Sequence, residues 1–435
     1  MGDWFFNFPA YLKVGISFFG ILLLNRLGMA LGFASLLFSL VLSLWSGTGL
    51  QGLSFQAATF ARPEDYLLPI IIMLLLFFSE ALSLTGRVER TMEALKVIFR
   101  SKKTLFIGLP ALIGLLPMPG GAVFSAPLVA SVDRDNEFTP PEKVAINYWF
   151  RHIWEYWWPI YPGVFLAIKY SGLSLPIFFL IQIPYTFAAL LGGYFFILGK
   201  AKKTATGSPG PGKFNLTAIF SALGPITVLV VTALLGSFLL PGYGMSTTEA
   251  SLVSMFIGLI LAITAAFTGH GHAWLPTLKM FRRPNTWLLI LLVISLQVFS
   301  AVLKCPLDPS GTTLVTAMRN EFIGAGIPLL AVIMLIPFIS GLVTGVAFGF
   351  VGTSFPIVFA LLGQNAPLGV VAAATALAYG FGYIGMMISP MHACFVVTCV
   401  YFQTPLLGVY RHLAVPGLIT LLTAMIFPVL YYLFL

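Results

Sequence analysis

The chain has 435 residues, of which 59% are hydrophobic and only 9% are charged, and its formal net charge is +9. A water-soluble domain of this length needs more polar surface, so the composition excludes a soluble globule and predicts a multi-span membrane protein. Because the positive residues gather in short loops between apolar runs, they report membrane orientation and do not indicate a nucleic-acid partner.

The first half of the chain, 1–199, contains five predicted membrane spans and one interrupted segment. Apolar runs of spanning length predict the spans at 10–25, 27–46, 66–84, 143–170 and 173–199. The segment 104–132 is too long for one span and is punctuated in its middle by glycine and proline, so we expect a re-entrant hairpin there. A basic, Gly/Pro/Ser-rich linker follows at 200–213, and we expect it in the cytoplasm.

The second half, 214–435, repeats this order. Its predicted spans lie at 214–240, 250–267, 286–304, 368–404 and 411–435, with a second re-entrant hairpin at 322–364. Five spans per half is an odd number, which predicts that the halves are inverted repeats of an all-α protein with roughly ten transmembrane helices. The scaffold spans would be those within 10–84 and 214–304. The basic loops then lie in the cytoplasm, and both termini lie outside it, in the cell (inner) membrane.

Matched residues support a duplicated unit. At one constant spacing, Tyr148, Phe150, Ile153, Pro159 and Tyr170 correspond to Tyr379, Phe381, Ile384, Pro390 and Tyr401. In the hairpins, Gly114, Gly120, Ser125 and Pro127 correspond to Gly341, Gly349, Ser354 and Pro356. Proline removes a backbone donor and crowds the preceding turn. Pro159 and Pro390 therefore predict that the spans 143–170 and 368–404 are broken helices.

The hairpins offer one set of candidate binding residues. A helix that stops inside the bilayer exposes N–H groups at one end and carbonyls at the other, and those ends bind ions. Gly120 and Gly121 allow a sharp turn and a close approach to substrate. Ser125, Thr353 and Ser354 place hydroxyls beside the turns, with Ser125 and Thr353 also candidates for a coupling ion. The alternative is that these small residues only permit close helix packing.

The broken helices offer a second set. Ionisable groups at membrane depth persist mostly where they pair or line a polar pathway. Arg151, His152 and Glu155 lie together in FRHIWEYWWP, and four-residue spacing would put Arg151 and Glu155 on one helical face. We expect Arg151 to attract an anionic substrate and Glu155 with His152 to carry a coupling proton. A self-compensated structural pair, or a wet cluster near the cytoplasmic surface, remains the alternative.

Beside Pro390, Ser389 and His392 are further candidates for substrate binding, although a single intramembrane histidine is more often a packed residue. Catalytic spacings such as HExxH and GxSxG are absent, and the three cysteines show no CxxC pair. The sequence therefore predicts no enzyme, no metal site and no cofactor, with Na⁺ or H⁺ as coupling ion.

The order of spans resembles that of an uncharacterised integral-membrane family of the ion transporter superfamily. Three segments carry the same resemblance: LLPMPGGAVFSAPLV, FRHIWEYWWP and GYIGMMISPMHACFVV. That superfamily also holds gluconate, dicarboxylate, arsenite and Na⁺/H⁺ carriers. The resemblance implies a homodimeric elevator with Gly120, Gly121, Ser125, Thr353 and Ser354 at the binding site. The Ser-Asn-Thr hairpin signature of the dicarboxylate branch is replaced by PGGAVFS and GTS, so neither sodium coupling nor a dicarboxylate substrate follows.

Together these features predict a secondary active transporter that moves a small anionic solute across the bilayer by alternating access, coupled to H⁺ or Na⁺. One alternative keeps the architecture but moves a lipid-linked phosphate. Another is a membrane-embedded enzyme that uses His152, Glu155 or His392 for acid–base chemistry.

Overall fold

The computed structural model describes residues 8–87, 90, 101–115, 121–133, 135–200, 216–363 and 365–435. Gly120 and nearly all of the predicted linker 200–213 lie outside the described residues. In the first half the described helices are α1 Ala10–Arg26, α2 Leu31–Trp45, α3 Gly49–Thr59, α4 Pro63–Leu84, α5 Lys102–Gly114, α6 Gly121–Val132, α7 Pro140–Arg151, α8 Pro162–Ser171 and α9 Leu175–Gly192. In the second half they are α10 Leu216–Leu239, α11 Thr247–Phe267, α12 Trp274–Leu278, α13 Pro284–Lys304, α14 Leu314–Gly324, α15 Leu329–Thr344, α16 Ala347–Leu362, α17 Leu368–Met387, α18 Ala393–Tyr401 and α19 Leu406–Phe434.

The chain is a multi-pass helical membrane protein. Over the described part of the chain, seven helices are long and apolar enough to cross a bilayer: α4, α9, α10, α11, α13, α17 and α19. The other predicted spans are shorter than a full crossing. The spans at 10–25 and 27–46 form the 17-residue α1 and the 15-residue α2, and the span at 143–170 is divided into α7 and α8.

Both predicted hairpins are pairs of short helices. In the first half α5 packs against α6, and in the second half α15 packs against α16. The second hairpin is shorter than the predicted 322–364, because α14 already ends at Gly324 and α15 begins at Leu329. Gly345 ends α15 with φ +64°, a left-handed conformation that glycine adopts without penalty.

The two broken helices differ in the length of the break. Residues 388–392, which include Pro390, separate α17 from α18, as predicted. The first break runs over 152–161, so α7 ends at Arg151, well before Pro159. The expectation that Arg151 and Glu155 share one helical face is therefore wrong. Pro159 and Pro162 disfavour helix in the residues before them, and Pro162 then begins α8 at a position where its missing N–H costs nothing.

The packing pattern repeats between the halves. The helices within the predicted scaffold ranges 10–84 and 214–304 are called the outer helices, and the hairpins and broken helices are called the inner ones. Among the outer helices, α4 packs on α11 and α13 packs on α2. Among the inner ones, each hairpin contacts the broken helix of the other half: α16 lies against α8, and α6 lies against α18. This exchange brings both hairpins and both breaks to one place in the molecule.

Candidate functional site

The guanidinium of Arg151 lies where the first hairpin and the two broken helices meet. Arg151 is the last residue of α7 and is only 3% exposed. Its Nη1 donates to Sγ of Cys394 in α18, at 3.4 Å. Gly121, the first residue of α6, is so close that an added Cβ would overlap Nη2. A larger residue at 121 would thus fill the space that the guanidinium occupies.

Two helix N-termini point toward this guanidinium. Gly121 begins α6, and Ala393 begins α18, so each helix presents its unpaired N–H groups near Arg151. The guanidinium lies against Gly121 of α6 and contacts Cys394, the second residue of α18. A helix N-terminus carries about half a positive charge. Arg151 and the two termini therefore create one region of positive potential in the buried centre.

A pair of histidines lies beside Arg151. His152 and His392 are buried, and their Nε2 atoms are 3.1 Å apart. Nδ1 of His152 lies 2.5 Å from the carbonyl oxygen of Tyr148. Because a carbonyl only accepts, Nδ1 carries a proton, and in the neutral imidazole Nε2 therefore keeps its lone pair. Oε1 of Glu155 is 3.8 Å from that same Nε2.

Tyrosines from the opposite half satisfy the carbonyls released at the breaks. Tyr379 donates to the carbonyl of Glu155 at 2.7 Å, and Tyr383 donates to that of His152 at 2.5 Å. In the other direction, Tyr148 donates to the carbonyl of Met387 at 3.0 Å. Buried carbonyls left without partners would be costly in a bilayer. These hydroxyls therefore stabilise both breaks by donating to carbonyls that no longer accept hydrogen bonds within a helix.

The matched sequence positions make matched contacts. Trp158 Nε1 donates to the carbonyl of Leu115 at 3.0 Å, and the corresponding Ser389 Oγ donates to that of Leu342 at 2.6 Å. An added Cβ on Gly114 would overlap the carbonyl of Arg151, as one on Gly341 would overlap that of Gly382. In each half, the contact joins the first of the two hairpin helices to the broken helix of the same half.

The hydroxyls predicted at the hairpins are all buried, and they donate within the hairpins. Ser125 donates to the carbonyl of Gly121 at 3.3 Å, and Ser354 donates to that of Phe350 at 2.5 Å. Thr353 lies 2.8 Å from the carbonyl of Gly349 and 2.5 Å from Oγ of Ser340. With their donors used, these hydroxyls can offer only lone pairs to a cation.

Sequence reasoning missed Cys394 and the tyrosines of the site. Cys394 was passed over because it lacks a CxxC partner, although MHAC places it two residues after His392. Tyr161, whose hydroxyl donates to the carbonyl of Gly114, gave no signal beyond its place between two prolines. Tyr148 and Tyr379 were recognised as a matched pair, and a hydroxyl at matched breaks is the feature that could have suggested their contacts.

An acidic residue outside the membrane fastens the first hairpin to α7. Asp133, directly after α6, accepts from the backbone N–H groups of Glu137 and Phe138 at 3.0 and 3.1 Å. Its carboxylate also pairs with Lys143 at 3.0 Å and Lys102 at 3.4 Å. Burial opposes its charge, but the Lys143 contact and the backbone donors outweigh burial, so the pKa of Asp133 lies below its ordinary value.

Other polar contacts and one cavity lie apart from Arg151. Glu80 accepts from both terminal nitrogens of Arg283 at 2.8 and 2.9 Å, so it belongs to an ion pair between α4 and the start of α13. Lys169 in α8 reaches Asp65 and Gln297, each at 2.5 Å. An apolar cavity of about 600 Å³ between α4, α11 and α12 includes none of the predicted site residues.

A family described as "Protein of unknown function (DUF401)" matches residues 12–430 of this chain. No curated protein gives a significant match. Among solved structures, the Alcanivorax borkumensis YdaH transporter, whose crystal structure is described as revealing an unusual topology, superposes with a TM-score of 0.52. The superposition covers 88% of each chain at 14% sequence identity, so the likeness concerns the fold.

Proposed function

This chain belongs to the DUF401 family of proteins of unknown function, and from the geometry of its site we propose that it is a secondary active transporter of a small anionic solute. The observation that carries the proposal is the position of Arg151. Its guanidinium lies at two interrupted helices and beside the N-termini of α6 and α18. Ionisable groups at membrane depth mostly pair with other groups or line a polar pathway, and a guanidinium beside helix N-termini is suited to an anionic solute.

The transport mechanism we propose is alternating access in an elevator built from inverted repeats, within the ion transporter superfamily. Two observations support it. The Leu115–Trp158 and Leu342–Ser389 contacts occupy corresponding places in the two halves, and each hairpin packs on the other half's broken helix. The hairpins and broken helices would move together as one body relative to the outer helices. Homodimer formation through the outer helices is part of the same proposal.

For the coupling ion we favour H⁺ over Na⁺. Glu155 and His152 are protonatable groups that lie 3.8 Å apart beside Arg151, and either could carry a proton with the anion. Na⁺ is the alternative, since the hairpin hydroxyls of Ser125, Thr353 and Ser354 donate within the hairpins and keep lone pairs that a cation can use. The protein would work in the cell inner membrane with both termini outside the cytoplasm.

Uptake by purified protein in proteoliposomes tests the proposal. A panel of organic and inorganic anions is offered under an imposed H⁺ gradient, an imposed Na⁺ gradient, or neither. We expect accumulation of at least one soluble anion, driven by the H⁺ gradient. Absence of gradient-driven accumulation across the whole panel contradicts the carrier, and accumulation driven only by Na⁺ contradicts the choice of coupling ion.

The contribution of Arg151 is tested in the same liposomes. Arg151→Ala should abolish accumulation, because it removes the positive charge that an anion requires. Arg411→Ala removes an exposed arginine on α19 and serves as the matched control, with uptake expected to be unchanged.

The alternative substrate, a lipid-linked phosphate, is also negatively charged but would enter the site from the bilayer. Movement of such a lipid between leaflets, with no uptake of soluble anions, would favour that alternative.

A further inference from the structure

A set of metal ligands converges beside Arg151 from both halves of the chain. One ring nitrogen of His152, one ring nitrogen of His392 and Sγ of Cys394 all lie within 4.8 Å of one another. Oε1 of Glu155 lies outside this group of three but is 3.8 Å from Nε2 of His152, so movement of its side chain would supply a fourth ligand. In a tetrahedral zinc site, bonds of about 2.0–2.3 Å place neighbouring ligand atoms roughly 3.3–3.7 Å apart. The group is therefore within a small side-chain adjustment of a closed site.

The hydrogen bond on the far side of His152 supports the same interpretation. Metal-binding histidines nearly always donate their other ring N–H to a carbonyl or carboxylate, which fixes the tautomer and aims the lone pair. His152 does this through Nδ1 to the carbonyl of Tyr148. That carbonyl is free to accept because α7 ends here and the N–H of His152 turns back to Trp149 instead. The end of the helix thus produces the oriented lone pair.

The Nε2 atoms of His152 and His392 face each other, and two lone pairs cannot face each other at this distance without a proton or a cation between them. A separation of 3.1 Å between the two Nε2 atoms requires a proton on one of them or a cation between them, and a proton on His152 Nε2 would make that ring a buried imidazolium beside Arg151. A proton on His392 Nε2 leaves its Nδ1 as a bare lone pair, and this buried atom has no hydrogen-bond partner among the described residues. A bound metal ion permits the other tautomer and engages Cys394 and Glu155 as well.

We propose that His152, His392, Cys394 and Glu155 bind a divalent d-block metal ion of the zinc type. Two imidazoles, a thiolate and a carboxylate form a ligand set suited to Zn²⁺ and not to Mg²⁺ or Ca²⁺. Binding releases the protons of the thiol and the carboxyl, so a metal ion and the coupling proton compete for His152 and Glu155. With both of these ligands negative, a divalent ion and Arg151 leave one net positive charge, so the loaded site still attracts an anion.

The ligands do not arise from the duplication. His152 comes from the first break and corresponds to Tyr383, while His392 and Cys394 come from the second break and its helix and correspond to Tyr161 and Gly163. A site assembled once, across both halves, would also tie the two broken helices together. This inference stands on geometry alone and does not depend on the transported solute.

Metal binding by the purified full-length protein tests it without any transport assay. After equilibrium dialysis against Zn²⁺ at neutral pH, elemental analysis should find one ion per chain that survives passage over a desalting column. Co²⁺ in place of Zn²⁺ should give intense tetrahedral d–d bands and a thiolate charge-transfer band. Wild-type protein with neither spectral feature overturns the proposal, whatever its variants do.

Substitutions then locate the ion. Cys394→Ser and His392→Gln should each weaken Zn²⁺ binding by at least about 100-fold, because loss of a residue that only hydrogen-bonds to a ligand costs about 10- to 100-fold. The matched controls are Cys399→Ser, a buried cysteine in the same helix as Cys394, and His272→Ala, an exposed histidine far from the site in sequence. Both controls should bind like wild type. Equal binding by all four variants, or loss only in His272→Ala, assigns the ion to an adventitious surface site and contradicts the proposal.

Discussion

At the scale of single residues, the space beside Arg151 is set by the glycine that opens α6. The absence of a side chain at Gly121 lets the guanidinium approach the helix N-terminus, where the two positive potentials add. The sequence marked both residues as candidates, but it paired Arg151 with Glu155 on one helix. That pairing failed because local spacing rules assume an intact helix, and α7 ends at Arg151.

Gly121→Ala should weaken anion binding without unfolding the protein. The added Cβ overlaps Nη2 of Arg151, a flexible side chain that can move aside but then no longer lies at the α6 N-terminus. We expect the substrate KM to rise about tenfold or more, equivalent to loss of one charge-assisted contact of about 1.5–3 kcal/mol. Gly417→Ala in α19 meets nothing within 4 Å and is the control. An unchanged KM in Gly121→Ala would remove this approach from the binding site.

At the scale of elements, two glycines bring each hairpin against the broken helix of its own half. The contacts of Gly114 with the Arg151 carbonyl and of Gly341 with the Gly382 carbonyl are backbone approaches that no side chain could permit. Comparison of the two halves of the sequence matched Gly114 with Gly341, because the same close contact in each half requires glycine at both positions. It could not reveal the partner carbonyls, which lie on helices distant in sequence.

Gly114→Ala and Gly341→Ala should each destabilise the protein, by on the order of 1–3 kcal/mol, since a backbone carbonyl cannot rotate away as a side chain can. The measurement is the thermal or denaturant unfolding of purified protein in detergent. Gly417→Ala should be neutral or slightly stabilising, because alanine is preferred over glycine inside a helix by about 0.5–1 kcal/mol. Similar unfolding for all three variants would contradict these close approaches.

The loop after α6 should make the fold sensitive to acid. Asp133 has a folded pKa below its ordinary value, so its contribution to stability is present above about pH 3.9 and is lost as pH falls through the lowered pKa. Asp133→Asn should lower stability at neutral pH by on the order of 1–3 kcal/mol and should flatten the further loss on acidification. Asp135→Asn, which changes an exposed neighbour, should follow the wild-type pH profile. Parallel acid profiles for wild type and Asp133→Asn would contradict this assignment.

At the scale of the whole molecule, composition and apolar periodicity predicted a polytopic helical protein with two hairpins and two breaks. The second break falls where Pro390 predicted it, since proline acts locally. The first break starts earlier because its residues are held by partners far along the chain, such as Tyr379 on Glu155 and Tyr383 on His152. The histidine pair was equally hidden, since His152 and His392 meet only when the two halves pack together.

The same packing joins the inner and outer helices through Lys169. Lys169 of α8 holds Asp65 of α4 and Gln297 of α13, a polar contact between a broken helix and two outer helices. If the inner body moves relative to the outer one, this contact must part in every cycle. Lys169→Met should therefore change the transport rate more than the substrate affinity, and uptake kinetics that show the opposite pattern would argue against such movement.

Counterflow through proteoliposomes is the measurement that tests the central claim most directly, because it needs no knowledge of the coupling ion. Liposomes loaded with an unlabelled anion are diluted into a trace of the labelled one. An alternating-access carrier with Arg151 at its site predicts a transient overshoot of internal label for wild type and none for Arg151→Ala. Monotonic equilibration without an overshoot, or an equal overshoot in Arg151→Ala, would contradict the account.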